Sequence, residues 1–320
     1  MIVRKFELHR DNNPDRPFRI FAALLHRTFG DFVDQLLFAA TIKQRFASGS
    51  LDVTYRPDRT YKADLIKLAP QVDRAWPMPD GMPLDYFDTA ANASFALPEE
   101  WTDSLNQYTD LILTPGMCRF IRQPSLGEPA RFRVPDAERW QQQLTAKVGP
   151  GWFVVIHYRE PGYALRPRDT VRDFRIDDAL PVYEAILGAG GQVVRIGHPG
   201  MTALPDRPGL IDLASDELML QAAAIERARF FMELSPSGPA HLALPLGCPL
   251  LRCNGAVVGR TFEDRAVGMP QRVINASSED VNPGIPPSGN VQPNRAQFAR
   301  QASVGAKQRR SIGRRRRHDD

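Results

Sequence analysis

Three short stretches in the second half of this sequence place anion-binding side chains directly after runs of apolar residues. His157-Tyr158-Arg159 ends one run, Arg195-Ile196-Gly197-His198 ends a second, and Ser235-Pro236-Ser237-Gly238-Pro239-Ala240-His241 follows a third. A Ser-x-Ser-Gly turn that opens a helix offers two hydroxyls and free backbone N–H groups. The helix dipole adds partial positive charge, so such a turn suits a phosphate. Arg159, at a strand end, has the planar fork that clamps a diphosphate through two parallel hydrogen bonds. Plainer roles compete with each reading. Ser237 would also serve as a helix N-cap. Arg159 lies in a loop that holds Arg166, Arg168, Arg172 and Arg175 as well. His157, His198 and His241 suit local hydrogen bonding as well as ligand contact.

In the first half, Gly30-Asp31 stands between an apolar run and an amphipathic stretch. A carboxylate at that edge suits a general base acting on a hydroxyl, although the spacing also allows Asp31 to be a simple helix cap. The turn is neither a Gly-x-Gly-x-x-Gly fingerprint nor a phosphate-binding P-loop, which disfavours a dinucleotide oxidoreductase and a kinase of that class. The histidines are too dispersed for a metal motif and no Asp-x-Asp occurs, so we expect no metal and no cofactor.

These turns need strands and helices to present them, and the hydrophobic pattern supplies an alternating set. Phe18 to Leu25, Leu51 to Tyr55 and Thr109 to Thr114 read as buried strands, and the apolar positions Phe32, Val33, Leu36, Leu37, Ala40 and Ile42 predict a helix. Tyr61 to Leu68 predicts a shorter one. In the second half, Trp152 to His157, Gln192 to Ile196, Leu210 to Leu213, Arg229 to Leu234 and Leu250 to Cys253 read as strands. They alternate with predicted helices at Asp177 to Leu187, Glu217 to Ala228 and Ala240 to Leu246. Strands alternating with helices predict an α/β fold with parallel sheets, in which all strand-end turns lie on one edge. We expect three regions: an N-terminal domain over 1–145, a second domain over 146–275, and a basic tail over 276–320. The tail is rich in Pro, Asn, Gln and Ser and has too few apolar residues to fold, so it predicts disorder.

Charge separates the tail from the body. Its nine Lys/Arg against four Asp/Glu give the tail +5, which leaves the rest of the chain at −1 of the total +4. The body therefore offers no general attraction for nucleic acid, and no nucleic-acid partner is expected. Three cysteines at Cys118, Cys248 and Cys253 form no disulfide framework. With neither a signal peptide nor a membrane span in the sequence, a cytoplasmic location is expected.

The ordered set Phe153-Val-Val-Ile-His-Tyr-Arg-Glu-Pro-Gly-Tyr163, Arg172-Asp-Phe-Arg175, Tyr183-Glu-Ala-Ile186 and Gly191-Gln-Val-Val-Arg-Ile-Gly197 resembles a bacterial glycosyltransferase group associated with surface polysaccharides. Ser235-Pro-Ser-Gly-Pro-Ala-His-Leu-Ala243 and Gly30-Asp31 are similar to the corresponding turns of the heptosyltransferases. Asp173 departs from the asparagine-containing stretch of the first group, whereas Arg175 matches it. The likeness covers roughly residues 18–255 and is strongest over 152–254. It implies a GT-B-like fold, two Rossmann-like domains facing across a cleft, with a nucleotide-sugar donor on the C-terminal domain. GT-B chains commonly end with a helix that returns to the first domain; here only Glu263 to Ile274 offers a weak counterpart.

The resemblance implies a metal-independent, inverting glycosyltransferase that moves a sugar from a nucleotide-diphosphate sugar to a glycan or lipid-linked acceptor, of hexosyl or heptosyl type. Asp31 and Arg159 are the expected catalytic residues. His157, Arg159, Arg175, Arg195, Gly197, Ser235, Ser237, Gly238 and His241 are the expected donor contacts. A nucleotide-sugar epimerase and a non-catalytic nucleotide-sugar or polysaccharide binder are the alternatives. A peripheral membrane association through the Arg-rich tail is a further expectation.

Overall fold

The computed structural model describes residues 17–46, 49–78, 86–87, 94–95, 109–113, 128–161, 173–253 and 271–274. Residues 1–278 form one compact unit, and the second unit, 279–320, lies outside the described residues together with Cys118, Arg166, Arg168 and Arg172.

The first sheet holds β1 (Arg19–Leu24), β2 (Ser50–Tyr55), β3 (Arg74–Pro77) and, after the short antiparallel pair β4 (Tyr86–Phe87) and β5 (Ser94–Phe95), β6 (Leu111–Leu113). Its strands are parallel in the order β3-β2-β1-β6. Both faces are covered: Ile20, Ala22 and Leu24 face the main core, and Phe21 and Ala23 face a smaller cluster with Met78 and Ile112. Burial on both sides is why β1 reads as an unbroken apolar run. The helix α1 (Phe29–Arg45) follows β1. Thr28 precedes it in extended conformation, Asp31 lies in the first turn and Lys43 and Arg45 in the last, a charge order that complements the helix dipole. Helix α2 (Tyr61–Lys67) follows β2.

Helix α3 (Ala137–Val148) had no counterpart among the sequence expectations. Its buried Trp140, Leu144 and Val148 lie one turn apart along one stripe and pack toward the second sheet's helix α5 (Leu218–Arg227). The expected domain boundary at 145/146 therefore falls inside a helix.

The second sheet is parallel in the order β12-β11-β10-β7-β8-β9, with β7 (Phe153–His157), β8 (Gln192–Arg195), β9 (Leu210–Asp212), β10 (Phe230–Glu233), β11 (Leu250–Cys253) and β12 (Gln271–Ile274). Helix α4 (Ile176–Gly188) covers one face, where Ala179 and Tyr183 pack on Val154, Ile156 and Tyr158. On the other face, α5 joins the core that runs continuously into the first sheet. The expected helix at Ala240 to Leu246 is a 3-10 turn, Pro239–Leu242, followed by the single-turn helix α6 (Ala243–Leu246). The stretch ending at Ile274 is not a returning helix at its close, since β12 pairs with β11 as a sixth strand.

In each sheet the chain runs outward from its first strand and then returns to that strand's other side. The reversal falls between β1 and β6 in the first sheet and between β7 and β10 in the second. In open parallel sheets, the crevice beyond the carboxyl ends of the strands at such a reversal is where ligands bind.

Candidate functional site

The crevice of the second sheet is bounded by the ends of β7 and β10, which carry two of the three stretches singled out in the sequence. Glu233 pairs in register with both His157 on β7 and Arg252 on β11. A row of polar residues therefore crosses three neighbouring strands at the carboxyl edge. All three are buried, at 7% (His157), 2% (Glu233) and 4% (Arg252) exposure.

His157 is held neutral. Burial, the largest cause, together with His198 and the Arg195 guanidinium nearby, pushes its imidazolium down to about 3. Its Nδ1 is buried without a hydrogen-bond partner, which marks the ring as an unsatisfied polar group at the crevice. His198 is exposed and accepts a 3.1 Å hydrogen bond at Nδ1 from the Gly200 N–H.

The Ser235–His241 turn is tied down from several directions. Ser235 is buried and its Oγ accepts the Arg159 N–H at 2.9 Å, which brings two of the expected donor contacts together. The Arg159 Nε donates to Asp173 Oδ1 at 2.8 Å, with both side chains about nine-tenths buried. The departure from the family pattern at Asp173 is thus a partner for Arg159. The Ser237 N–H donates to Glu233 Oε1 at 2.6 Å and its hydroxyl to the same oxygen at 3.3 Å. Glu233 Oε2 lies 3.2 Å from Arg252 Nε. The expectation of a free N–H at Ser237 is corrected by this contact: a buried carboxylate four residues earlier requires donors, and the turn supplies them.

Arg195 is 1% exposed. Its guanidinium donates to Asp212, to the Thr202 carbonyl and to the Tyr158 hydroxyl. It ties β8, β9 and β7 together and is turned inward, away from the role of a ligand contact. Burial and the neighbouring Tyr158 hydroxyl push the Tyr183 phenol up, so the phenol stays neutral beside the Arg195–Asp212 ion pair. Gly197 is clamped by Gln221 of α5, which accepts its N–H at 3.1 Å and donates to its carbonyl at 3.2 Å. Arg175 stands at the N-cap position of α4, with an exposed side chain that makes no capping hydrogen bond.

The first sheet meets this turn at the N-terminus of α1. A Cβ on Gly238 would lie 2.8 Å from Phe29 Cβ and 3.0 Å from the Gly30 nitrogen. A Cβ on Gly30 would lie 2.8 Å from His241 Cδ2 and 3.2 Å from Gly238 Cα. Two glycines therefore let the backbones of the two sheets' loops touch. Asp31 is the next residue of α1. It is half-buried, lies within the helix and not before it, and its Oδ2 accepts the Thr28 hydroxyl at 2.6 Å. One turn later, Asp34 Oδ1 is 2.8 Å from His241 Nδ1 across 207 residues of sequence. Asp34, Glu233 and Arg252 were not singled out by sequence, and Asp173 was named there only as a departure from the family pattern. Among the described residues, no three His, Cys, Asp or Glu side chains gather as a metal site would require, and no helix is long and apolar enough to cross a membrane.

No protein-family model matches the chain, and no curated protein matches it. Its structure is similar to solved ones. The glycosyl transferase family 9 structure from Veillonella parvula superposes with a TM-score of 0.52 at 13% identity, over 81% of this chain and 86% of that one. The E. coli ADP-heptose lps heptosyltransferase II superposes with a TM-score of 0.54 at 15% identity, over 91% and 100%. UDP-GlcNAc 2-epimerase from Methanocaldococcus jannaschii reaches only 0.39 at 11% identity, over 82% and 90%, and carries no weight. At these identities the likeness is one of fold: the chain has a GT-B-like architecture.

Proposed function

We propose that this protein is a glycosyltransferase that moves a sugar from a nucleotide-diphosphate sugar to a glycan or lipid-linked acceptor. The observation that carries the reading is the meeting of the two sheets. The N-terminal turn of α1, which bears Asp31, packs against the Ser-Pro-Ser-Gly turn at the reversal point of the second sheet. A group held over one crevice is thereby brought to a group held over the other.

In this reading the donor lies at the β7/β10 crevice against His157, Arg159, Ser235, Ser237 and Gly238. Arg159, fixed by Asp173, stabilises the negative charge that develops on the leaving nucleoside diphosphate. Ser237 holds the shape of the turn through Glu233, and Gly238 lets the ligand and α1 approach the backbone. Asp31 takes the proton of the acceptor hydroxyl, which attacks the anomeric carbon as the carbon–oxygen bond to the diphosphate breaks. A single displacement inverts the anomeric centre. A cationic arginine does the work of charge neutralisation, so the transfer is metal-independent. Arg175 and Gly197 border the donor site, and the sugar is of the hexosyl or heptosyl type. The protein works in the cytoplasm, with the acceptor at or near a membrane surface.

ADP-heptose, which stands in the name of the E. coli structural neighbour, is the first donor to try. Calorimetry in the presence of a chelator would compare ADP, UDP and GDP, and then the matching nucleotide-sugar. We expect one nucleotide to bind, and the Arg159→Ala, Ser237→Ala double variant to bind it at least tenfold more weakly. No binding by any of them to the cooperatively folded protein would overturn the reading. Conversion of donor alone, with no acceptor needed, would point to an epimerase.

A further inference from the structure

The pair formed by Asp34 and His241 is a hydrogen bond between side chains that ties α1 to the Ser235–His241 turn. The two groups are 2.8 Å apart, and their side chains are 19% and 10% exposed. An ionised carboxylate only accepts hydrogen bonds, so the imidazole Nδ1 carries the proton. The contact does not stand alone. Gly30 and Gly238 touch beside it, and Gly30 lies against the same imidazole, since a Cβ there would come within 2.9 Å of Nε2. On its other side the turn is anchored within its own sheet through Ser237, Glu233 and Arg252. The turn is therefore fixed from below by Glu233 and from the opposite sheet by Asp34. Asp34 also lies on the same helix face as Asp31, three residues on, where helix geometry makes neighbours.

We propose that Asp34 is a positioning residue. Through His241 it sets the spacing between the α1 turn that carries Asp31 and the turn that holds the donor. It touches neither substrate. This rests on the transferase reading above. It goes further in taking His241 out of the set of donor contacts and assigning its imidazole to the junction between the sheets.

The proposal separates rate from affinity. Displacing reacting groups by about 1 Å costs on the order of 100-fold in rate, whereas the donor crevice between β7 and β10 would be left intact. Asp34→Ala is expected to lower kcat for transfer from ADP-heptose by about 10- to 100-fold, with the Kd for ADP within about twofold of the parent protein. Asp34→Asn keeps an oxygen acceptor for the Nδ1 proton and is expected to restore most of the rate. Gly30→Ala, which pushes a methyl group into the His241 ring, should reproduce the Asp34→Ala kinetics by a different route. In urea denaturation, the midpoint shifts of Asp34→Ala and His241→Ala should be less than additive in the double variant, because the second change removes a partner already lost. That cycle needs no substrate. Additive shifts would overturn the pairing itself. A parallel loss of ADP affinity and rate in Asp34→Ala would overturn the positioning role and return His241 to the donor site. Failure of the parent protein to bind any nucleotide, with a coupled stability cycle, would sink the transferase reading and with it the kinetic role, leaving the junction as a structural contact only.

Discussion

His157 makes the structure's electrostatics measurable without a substrate. In the unfolded chain its imidazole takes a proton near pH 6.5, whereas in the folded protein burial beside Arg195 and His198 holds it neutral down to about 3. The folded value is depressed, so the unfolded state binds more protons anywhere between the two. Stability is therefore full above pH 6.5 and falls as the pH drops from there toward 3. The difference grows as RT ln(1 + 10^(6.5 − pH)), which amounts to about 2 kcal/mol at pH 5 and almost nothing at pH 8. At 7% exposure, little solvent screening reduces this. The test is urea denaturation of the parent protein and of His157→Gln, each at pH 8 and at pH 5. Other groups titrate as well, but they do so in both proteins, so the difference of the two differences isolates His157. The parent should lose about 2 kcal/mol more than the variant. Equal losses would mean that His157 protonates at an ordinary pH, which would refute both its burial and its neutrality at the crevice.

Two further outcomes follow from the buried ion pairs. Glu233→Ala leaves Arg252 buried without its carboxylate and should cost about 3–5 kcal/mol in urea denaturation. Glu233→Gln, whose amide oxygen still accepts from Ser237, should cost less; a loss below about 1 kcal/mol for the alanine variant would contradict the role of Glu233 under the turn. Arg195→Met should cost less than Glu233→Ala, because Asp212 is about a third exposed and still accepts from Ala214 and Tyr158 keeps Tyr183 as a partner, while leaving the Kd for ADP within about twofold at a temperature where the variant is folded. A selective loss of ADP affinity would place Arg195 in the ligand site after all.

Much of the framework is legible in the sequence because burial on both faces leaves a strand no polar positions. Phe153 to Ile156 and Ile20 to Leu24 are buried throughout, and they read as strands without ambiguity. Helix α1 is legible because Phe32, Val33, Leu36, Leu37 and Ala40 recur at helical spacing. Helix α3 is not, because only Trp140, Leu144 and Val148 of its twelve residues are buried and the rest read as a polar segment. Strand β3 is an edge strand with Arg74, Ala75 and Pro77 exposed, so it lacks a buried face to announce it. At the site, the residue types beyond the strand ends were legible, and their partners were not. Glu233 meets His157 and Arg252 through sheet register, and Asp34 meets His241 across 207 residues. Neither pairing leaves a trace in local spacing. The one local signal was a charged residue, Asp34, set among the buried positions of α1.

The manner in which the two sheets touch also says what the proposed reaction would tolerate. Had long side chains bridged the crevices, each could adjust its rotamers to a small displacement, and charge changes would matter most. Here the backbones at Gly30 and Gly238 come near enough that a Cβ on either would press on the other's residue, with a short carboxylate and an imidazole beside them. Close-packed backbone has no rotamer to give, and an added methyl group must move a helix or a turn as a whole. Arg27, two residues before α1, is exposed, where solvent screening weakens its field. Volume at the two glycines should therefore govern the alignment of the crevices more strongly than charge at the rim. A pair of parallel sheets that can each hold one substrate becomes a device for reacting them only when the junction between the sheets is stiff.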